Sequence, residues 1–222
     1  MLVTHPFPSV LDGLITAAIA LIAGAEWGIA VRLGLSMIAL QASIGALNDA
    51  VDAPSDAVGR PSKPIPAGLV PRGFARALAA ALAALGLALA ARSGPAVLVL
   101  GAVILAIGYA YDLVFKATRW SWLPFAVGIP LLPVFAWLGP ADRLPAAFTI
   151  LVPAAVAAGA GLALGNSLVD LDGDAAAGLS TPAQSWGAAH VRLASIALLV
   201  SVAVVAVAAG LAAAMPTPIV VA

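Results

Sequence analysis

Long apolar stretches, broken by short polar segments, dominate the pattern along the chain. Several of them reach about the 20 residues that an α-helix needs to cross a bilayer. The breaks contain Pro, Gly and charged residues, which end helices. The stretches are rich in Ala, Leu and Val and lack the alternation typical of membrane barrel strands. The pattern therefore predicts an all-α, polytopic transmembrane helix bundle with about seven spans.

Caps and breakers predict where the spans begin and end. Ser9 and Asp12 form a helix start signal, whereas Pro54 disfavours helix at the residue before it. Glu26 to Arg32 is predicted to be a short polar connection. The seven predicted spans cover about residues 9–25, 33–52, 71–92, 95–115, 120–138, 145–170 and 185–215. We expect them to form a single domain over residues 1–222.

Composition narrows the class of protein. Hydrophobic residues make up 63% of the chain and charged residues 9%. The net charge is zero and no basic run is present, which argues against nucleic acid as a partner. The chain has no Cys, so disulfide and zinc–thiolate chemistry are excluded. We expect membrane lipids to surround the helix bundle.

The Lys and Arg residues orient the predicted bundle. Seven of the ten follow the second, fourth and sixth spans or lie in the loops there, and three lie at the other end. The seven are Arg60, Lys63, Arg72, Arg76, Lys116, Arg119 and Arg192; the three are Arg32, Arg92 and Arg143. Cytoplasmic loops carry the excess of positive residues. The N-terminus and the Asp-rich loops are therefore predicted to be cytoplasmic.

A first acidic cluster closes the second span. It contains Asn48, Asp49, Asp52 and Asp56, whose spacings of three and four place them on one helix face while the helix lasts. Because of Pro54, we expect Asp56 in a loop that curls back over that face. Carboxylates at a helix C-terminus add to its partial negative charge. The cluster therefore predicts a site for a divalent cation with oxygen ligands, Mg²⁺ above all.

A second acidic cluster closes the sixth span. Asn166, Asp170 and Asp174 repeat the spacing of Asn48, Asp52 and Asp56. With Asp172, which lies between Asp170 and Asp174, the two clusters hold six of the ten acidic residues, and both are predicted to reach the same end of the bundle. Six carboxylates repel one another unless cations neutralise them. Two divalent cations between the clusters could hold a polyanion such as a lipid diphosphate, with its tail in the bundle.

Three motifs on helix ends, in this order, resemble those of the UbiA superfamily of intramembrane prenyltransferases. The first is N-D-x-x-D-x-x-x-D from Asn48, followed by R-x-x-K-P-I-P-A-G from Arg60. The second is Y-x-x-x-x-K from Tyr111 to Lys116. The third is D-x-x-G-D-x-x-x-G from Asp170. The resemblance covers most of the chain and implies a UbiA-like fold.

The resemblance also implies a reaction and its residues. A prenyl diphosphate would donate its prenyl group to an acceptor in the membrane, with Mg²⁺ as cofactor and diphosphate as the leaving group. The implied metal ligands are Asn48, Asp49, Asp52, Asp56, Asn166, Asp170 and Asp174. The implied diphosphate-binding residues are Arg60, Lys63, Tyr111 and Lys116, and the implied catalytic residues are Asp52, Asp170 and Lys116. Asp170 or the diphosphate itself could take the proton of the acceptor.

Other interpretations stay open at this point. The acidic clusters also suit a transporter or a membrane protein that binds cations or lipid head groups. An inactive member of the family is a further alternative. Family members commonly carry two more C-terminal spans than the seven predicted here, so a homo-oligomer could supply the wall of the prenyl tunnel. No residue identifies the acceptor, which could be an aromatic acid or quinone precursor, a chlorin or haem, or a glycerol phosphate.

Overall fold

Helices make up the secondary structure of the part of the chain that the structure describes. A computed structural model describes Val3 and residues 6–169, 171–176 and 178–214. The helices are α1 (Pro6–Ile22), α2 (Trp27–Gly59), α3 (Arg72–Ala91), α4 (Pro95–Ala110), α5 (Leu123–Leu138), α6 (Phe148–Val169), α7 (Leu171–Ala176), α8 (Pro182–Trp186) and α9 (Ala188–Ala214). One π turn, Tyr111–Phe115, continues α4.

Seven of these helices correspond to the seven predicted spans. Five of them, α2, α3, α4 with its π turn, α6 and α9, are long and apolar enough to cross a membrane. The other two, α1 and α5, are shorter apolar helices. The prediction of an all-α transmembrane bundle is confirmed.

The predicted polar connection before the second span is wrong. Helix α2 begins at Trp27, directly after Glu26 in extended conformation. The charge of Arg32 favoured a loop in the sequence-based prediction. In the structure, the Arg32 guanidinium donates a hydrogen bond to the Ser93 hydroxyl at 3.2 Å. Ser93 follows α3, so a partner from a distant part of the chain allows a charged residue in the first turns of α2.

The second span also continues further than predicted, through Pro54 to Gly59. Pro54 has no N–H, so the Ala50 carbonyl four residues earlier lacks its usual helical donor. Arg72, the first residue of α3, donates a hydrogen bond from Nε to that carbonyl at 2.5 Å. Asp56 therefore lies in the helix, and the prediction that it belongs to a loop is wrong.

Small residues and serine hydroxyls hold the helices close together. Helices α1 to α5 each pack against the next helix in the chain, α1 also contacts α5, and α9 packs on α6. Ser36 and Ser43 of α2 donate to backbone carbonyls of α3 at 2.7 and 2.6 Å, an interhelical bond that suits a membrane interior. A Cβ on Gly159 of α6 would overlap the Phe125 carbonyl of α5. Glycine at this position therefore lets α6 approach α5 closely.

The ends of α2, α4 and α6 meet on one side of the bundle. Side chains that follow α4 contact the last turns of α2. The loop after α7 contacts the segment after the π turn, because the Ser180 N–H donates to the Ala117 carbonyl at 3.2 Å. This packing brings the three motif-bearing helix ends together.

Candidate active site

The first acidic cluster surrounds a buried lysine. Lys63, in the loop after α2, donates hydrogen bonds to Asp49 at 3.0 Å and to Asp56 at 2.8 Å. All three residues are buried, with 5 to 7% of their surface exposed. Asp49 and Asp56 are seven residues apart, which is two turns of α2, so both carboxylates reach the same ammonium.

The electrostatics of this group keep the lysine charged. Burial lowers the pKa of the Lys63 ammonium, but its hydrogen bonds to Asp56 and Asp49 and their negative charges raise it. The net effect is a pKa above the usual value for lysine. The two carboxylates therefore enclose a full positive charge at neutral pH.

The other half of the cluster faces the π turn. The Asn48 amide donates a hydrogen bond from Nδ2 to Oδ1 of Asp112 at 2.7 Å. Because an ionised carboxylate only accepts hydrogen bonds, Asp112 fixes the orientation of the Asn48 amide. The amide nitrogen faces Asp112, and the amide oxygen of Asn48 faces away from it. Lys116 binds Asp52 as an ion pair. Sequence reasoning assigned no role to Asp112, and its acidic side chain beside Tyr111 was the available signal.

The π turn explains the spacing of Tyr111 and Lys116. The Lys116 N–H donates to the Tyr111 carbonyl at 2.9 Å, a bond that spans five residues. In an α-helix, residues five apart point about 140° away from each other, at about 100° per residue. The wider π turn brings both side chains to one face, and such turns are frequent at functional sites.

That face borders a small cavity between the π turn, α5, α6 and the loop after α7. The cavity has a volume of about 80 Å³ and is lined by Tyr111, Lys116, Ser121, Phe125, Ala163, Asn166, Ser167, Asp174, Leu179 and Thr181. Polar side chains form part of the wall, whereas Phe125, Ala163 and Leu179 form an apolar part. The Phe125 ring meets the Tyr111 ring edge to face, with centroids 5.1 Å apart. Sequence reasoning did not identify Ser121, Phe125 or Thr181.

The second acidic cluster contributes two of its members to the cavity wall. Asn166 comes from the last turns of α6 and Asp174 from α7. Asp170, which the sequence predicts as a metal ligand and catalytic residue, lies outside the described residues. Gly178 follows with a φ of +67°, a left-handed conformation that favours glycine at the end of this motif.

Lys116 links the two clusters. Its ammonium binds Asp52 of α2, and its side chain lines the cavity together with Asn166 and Asp174. The structure thus brings members of both clusters to one site, on either side of a single lysine. Arg60 directly follows α2; its side chain is exposed, and its backbone N–H donates to the Asp56 carbonyl at 2.7 Å.

The donor set of the site fits Mg²⁺ by chemical type. The described part of the chain holds no group of three or more carboxylate or imidazole side chains around one point. However, every oxygen of the two clusters is a hard carboxylate or amide ligand of the kind that Mg²⁺ binds. The carboxylates of α2 already hold two positive charges, on Lys63 and Lys116. The cluster is therefore built to stabilise cations, and a metal ion would compete with these ammonium groups.

Comparison with known proteins identifies the family and the fold of the chain. Residues 10–222 match the sequence profile of the UbiA prenyltransferase family. No individual protein with a curated description matches the sequence.

The fold of the chain is similar to that of several solved structures, including the following three. The apo structure of a UbiA homologue from Aeropyrum pernix K1 has a TM-score of 0.75 and 21% identity, over 94% of this chain and 80% of that one. A UbiA homologue from Archaeoglobus fulgidus bound to GPP and Mg²⁺ has a TM-score of 0.74 and 21% identity, over 91% and 74%. A structure concerned with digeranylgeranylglyceryl phosphate synthase in membranes has a TM-score of 0.73 and 18% identity, over 90% and 72%.

Proposed function

Because the chain belongs to the UbiA prenyltransferase family and is an integral membrane protein, we propose that it is a prenyltransferase. It would transfer a prenyl group from a prenyl diphosphate to an acceptor within the membrane. The A. fulgidus homologue of the same fold was solved with GPP and Mg²⁺. That pair supports a Mg²⁺-dependent reaction on a prenyl diphosphate here.

The position of Lys116 carries the proposal. This one ammonium borders Asp52 of the first cluster and a cavity that Asn166 and Asp174 of the second cluster line. A diphosphate placed beside Lys116 would have oxygen ligands for metal ions on both sides. Tyr111 lines the same cavity, and its hydroxyl would bind a second phosphate oxygen.

The reaction breaks the bond between the allylic carbon and the diphosphate oxygen. The electron pair leaves with the diphosphate, and the allylic carbon then bonds to a nucleophilic atom of the acceptor. Negative charge increases on the leaving group, so Lys116 and Tyr111 stabilise the transition state by binding that group. Bound Mg²⁺ would neutralise the diphosphate further and favour its departure.

Water must be kept from the allylic carbon while it carries positive charge. The apolar wall of the cavity, formed by Phe125, Ala163 and Leu179, suits this role. The acceptor finally loses a proton to a carboxylate or to the diphosphate. The sequence predicts Asp170 as the carboxylate that accepts this proton, and Asp170 lies outside the described residues.

Substitution of Asp52 tests the proposal. Asp52→Asn removes a charge that binds Lys116 and would bind a metal ion, so we expect prenyl transfer to fall about 100-fold or more. The matched control is Asp142→Asn, which changes an exposed aspartate in the loop between α5 and α6. The measurement uses purified protein, Mg²⁺, radiolabelled prenyl diphosphates and a panel of aromatic, chlorin and glycerol phosphate acceptors, with product identified by mass spectrometry.

Two outcomes would contradict the proposal. One is full transfer activity of Asp52→Asn, because the cluster would then play no part in the reaction. The other is a wild-type protein that releases no diphosphate from any prenyl diphosphate in the presence of Mg²⁺ and the acceptor panel.

A further inference from the structure

Thr181 carries a buried hydroxyl that the mechanism above does not use. It occupies the residue before α8, where a threonine commonly caps the helix by accepting a backbone N–H bond. Its side chain makes no such bond. Only 4% of the residue is exposed, and its Oγ1 has no hydrogen-bond partner among the described residues.

An unpartnered buried hydroxyl is unfavourable in a folded protein, since it gives up hydrogen bonds to water without replacement. Such groups are rare and call for a specific explanation. The backbone around Thr181 is well held, because its carbonyl accepts a bond from the Ser185 N–H at 2.9 Å. Gln184 of α8 also donates to the Leu171 carbonyl of α7 at 2.7 Å. The backbone that carries the hydroxyl is therefore held in place, while the described residues offer the hydroxyl itself no hydrogen-bond partner.

The surroundings of Thr181 indicate what the partner is. It lines the cavity of the candidate site together with Lys116, Tyr111 and Ser121. An ammonium, a phenol and two aliphatic hydroxyls can all donate hydrogen bonds into this space. A phosphate group, whose oxygens accept several such bonds, matches this wall.

We propose that the Thr181 hydroxyl binds a phosphate oxygen of the prenyl diphosphate. The inference rests on the proposed function and adds a binding group to its site. Asp174 lines the same cavity and would repel a bare anion. The ligand is therefore the diphosphate in its Mg²⁺-neutralised form, and Thr181 binds on the face that the cations leave open.

Binding of inorganic diphosphate tests this assignment without turnover. Thr181→Val keeps the branched shape and removes the hydroxyl, whereas Thr181→Ser keeps the hydroxyl. The matched control is Thr149→Val, an exposed threonine at the other end of α6. Each purified protein is titrated with inorganic diphosphate in the presence of Mg²⁺ by calorimetry, and its Tm is measured with and without the same ligand.

We expect Thr181→Val to weaken diphosphate binding roughly 10-fold, because a hydrogen bond to a charged group is lost. The Tm of the ligand-free variant should equal or exceed that of wild type, since the substitution removes an unpartnered polar group. Its ligand-induced rise in Tm should shrink, as weaker binding requires. Thr181→Ser and Thr149→Val should bind as wild type does.

Other outcomes have clear meanings. Unchanged diphosphate affinity of Thr181→Val would overturn the inference, and so would a lower ligand-free Tm with unaltered binding, which indicates a structural role. Failure of wild type to bind Mg²⁺ and diphosphate would also overturn it. If wild type binds diphosphate through Thr181 but transfers no prenyl group, the inference stands and the proposed function fails.

Discussion

Single side chains set the charge balance of the candidate site. Lys63 and Lys116 were predicted to bind phosphate, and the structure places both ammonium groups on carboxylates of the first cluster. Their role toward phosphate stays a prediction. The structure also shows that each carboxylate of the first cluster forms an ion pair with a lysine. The same carboxylates can accept Mg²⁺ only if the ammonium groups shift or share them.

Lys63 allows this competition to be measured. Lys63→Met removes the buried ammonium that pairs with both Asp49 and Asp56, so we expect the free energy of unfolding to fall by roughly 3 to 5 kcal/mol. Millimolar Mg²⁺ should restore part of this loss, because a divalent cation replaces the ammonium. Chemical unfolding in detergent micelles, with and without Mg²⁺, measures both effects.

The control for this substitution is Arg143→Met, which removes an exposed cation from the loop between α5 and α6. We expect a change within about 0.5 kcal/mol there, as is usual for surface positions. A Lys63→Met variant as stable as wild type in the absence of Mg²⁺ would contradict the buried ion-pair assignment.

At the scale of elements, helix α2 shows how local rules yield to tertiary contacts. Pro54 is a strong signal for a helix end, and the sequence alone gave no reason to place the helix beyond it. The Arg72 side chain supplies the donor that Pro54 lacks. This extension keeps Asp56 in helical register with Asp49, and the pair around Lys63 depends on it.

A double-mutant cycle tests this account of Pro54. Arg72→Met should destabilise the protein by about 1 kcal/mol or more, because the Ala50 carbonyl loses its donor. In a Pro54→Ala background, the new N–H at position 54 bonds to Ala50, so the same Arg72 substitution should cost much less. The coupling between the two positions should then be about 1 kcal/mol in chemical unfolding experiments.

The control in both backgrounds is Arg76→Met, which changes an exposed arginine one turn after Arg72 in α3. Equal destabilisation by Arg72→Met with and without Pro54 would show that the Arg72 side chain acts through some other contact.

At the scale of the whole molecule, the helix ends that bear the three motifs share one side of the bundle. The distribution of cations predicts that this side faces the cytoplasm. Helix α9 packs on α6 and carries large exposed apolar side chains, as expected for a helix against lipid. A single domain and a homo-oligomer remain predictions of the sequence.

Cysteine labelling tests the orientation cleanly because the chain has no native Cys. Ser62 lies in the exposed loop after α2, and Asp142 lies in the loop between α5 and α6. In intact cells, a membrane-impermeant maleimide should label Asp142→Cys and leave Ser62→Cys unlabelled until the cells are permeabilised. The unsubstituted protein controls for background. The reverse labelling pattern would place the candidate site on the outer side.

The fold class, the approximate positions of most spans and the residue types of the site could be predicted from the sequence. Hydrophobic length decides whether a helix can cross a bilayer, and oxygen-rich motifs at helix ends attract cations. These properties are local, so a single sequence displays them. The start of α2 and its passage through Pro54 were not visible, because both depend on partners that come from α3 and the turn after it.

Which side chains meet depends on how the helices pack in three dimensions. The π turn aligns Tyr111 with Lys116, Asp112 orients Asn48, and Thr181 faces a cavity instead of capping α8. Each of these arrangements joins residues that are far apart in the chain or depends on a departure from ideal helix geometry. Sequence spacing describes positions along one helix, whereas a site formed by several helix ends requires their packing in three dimensions.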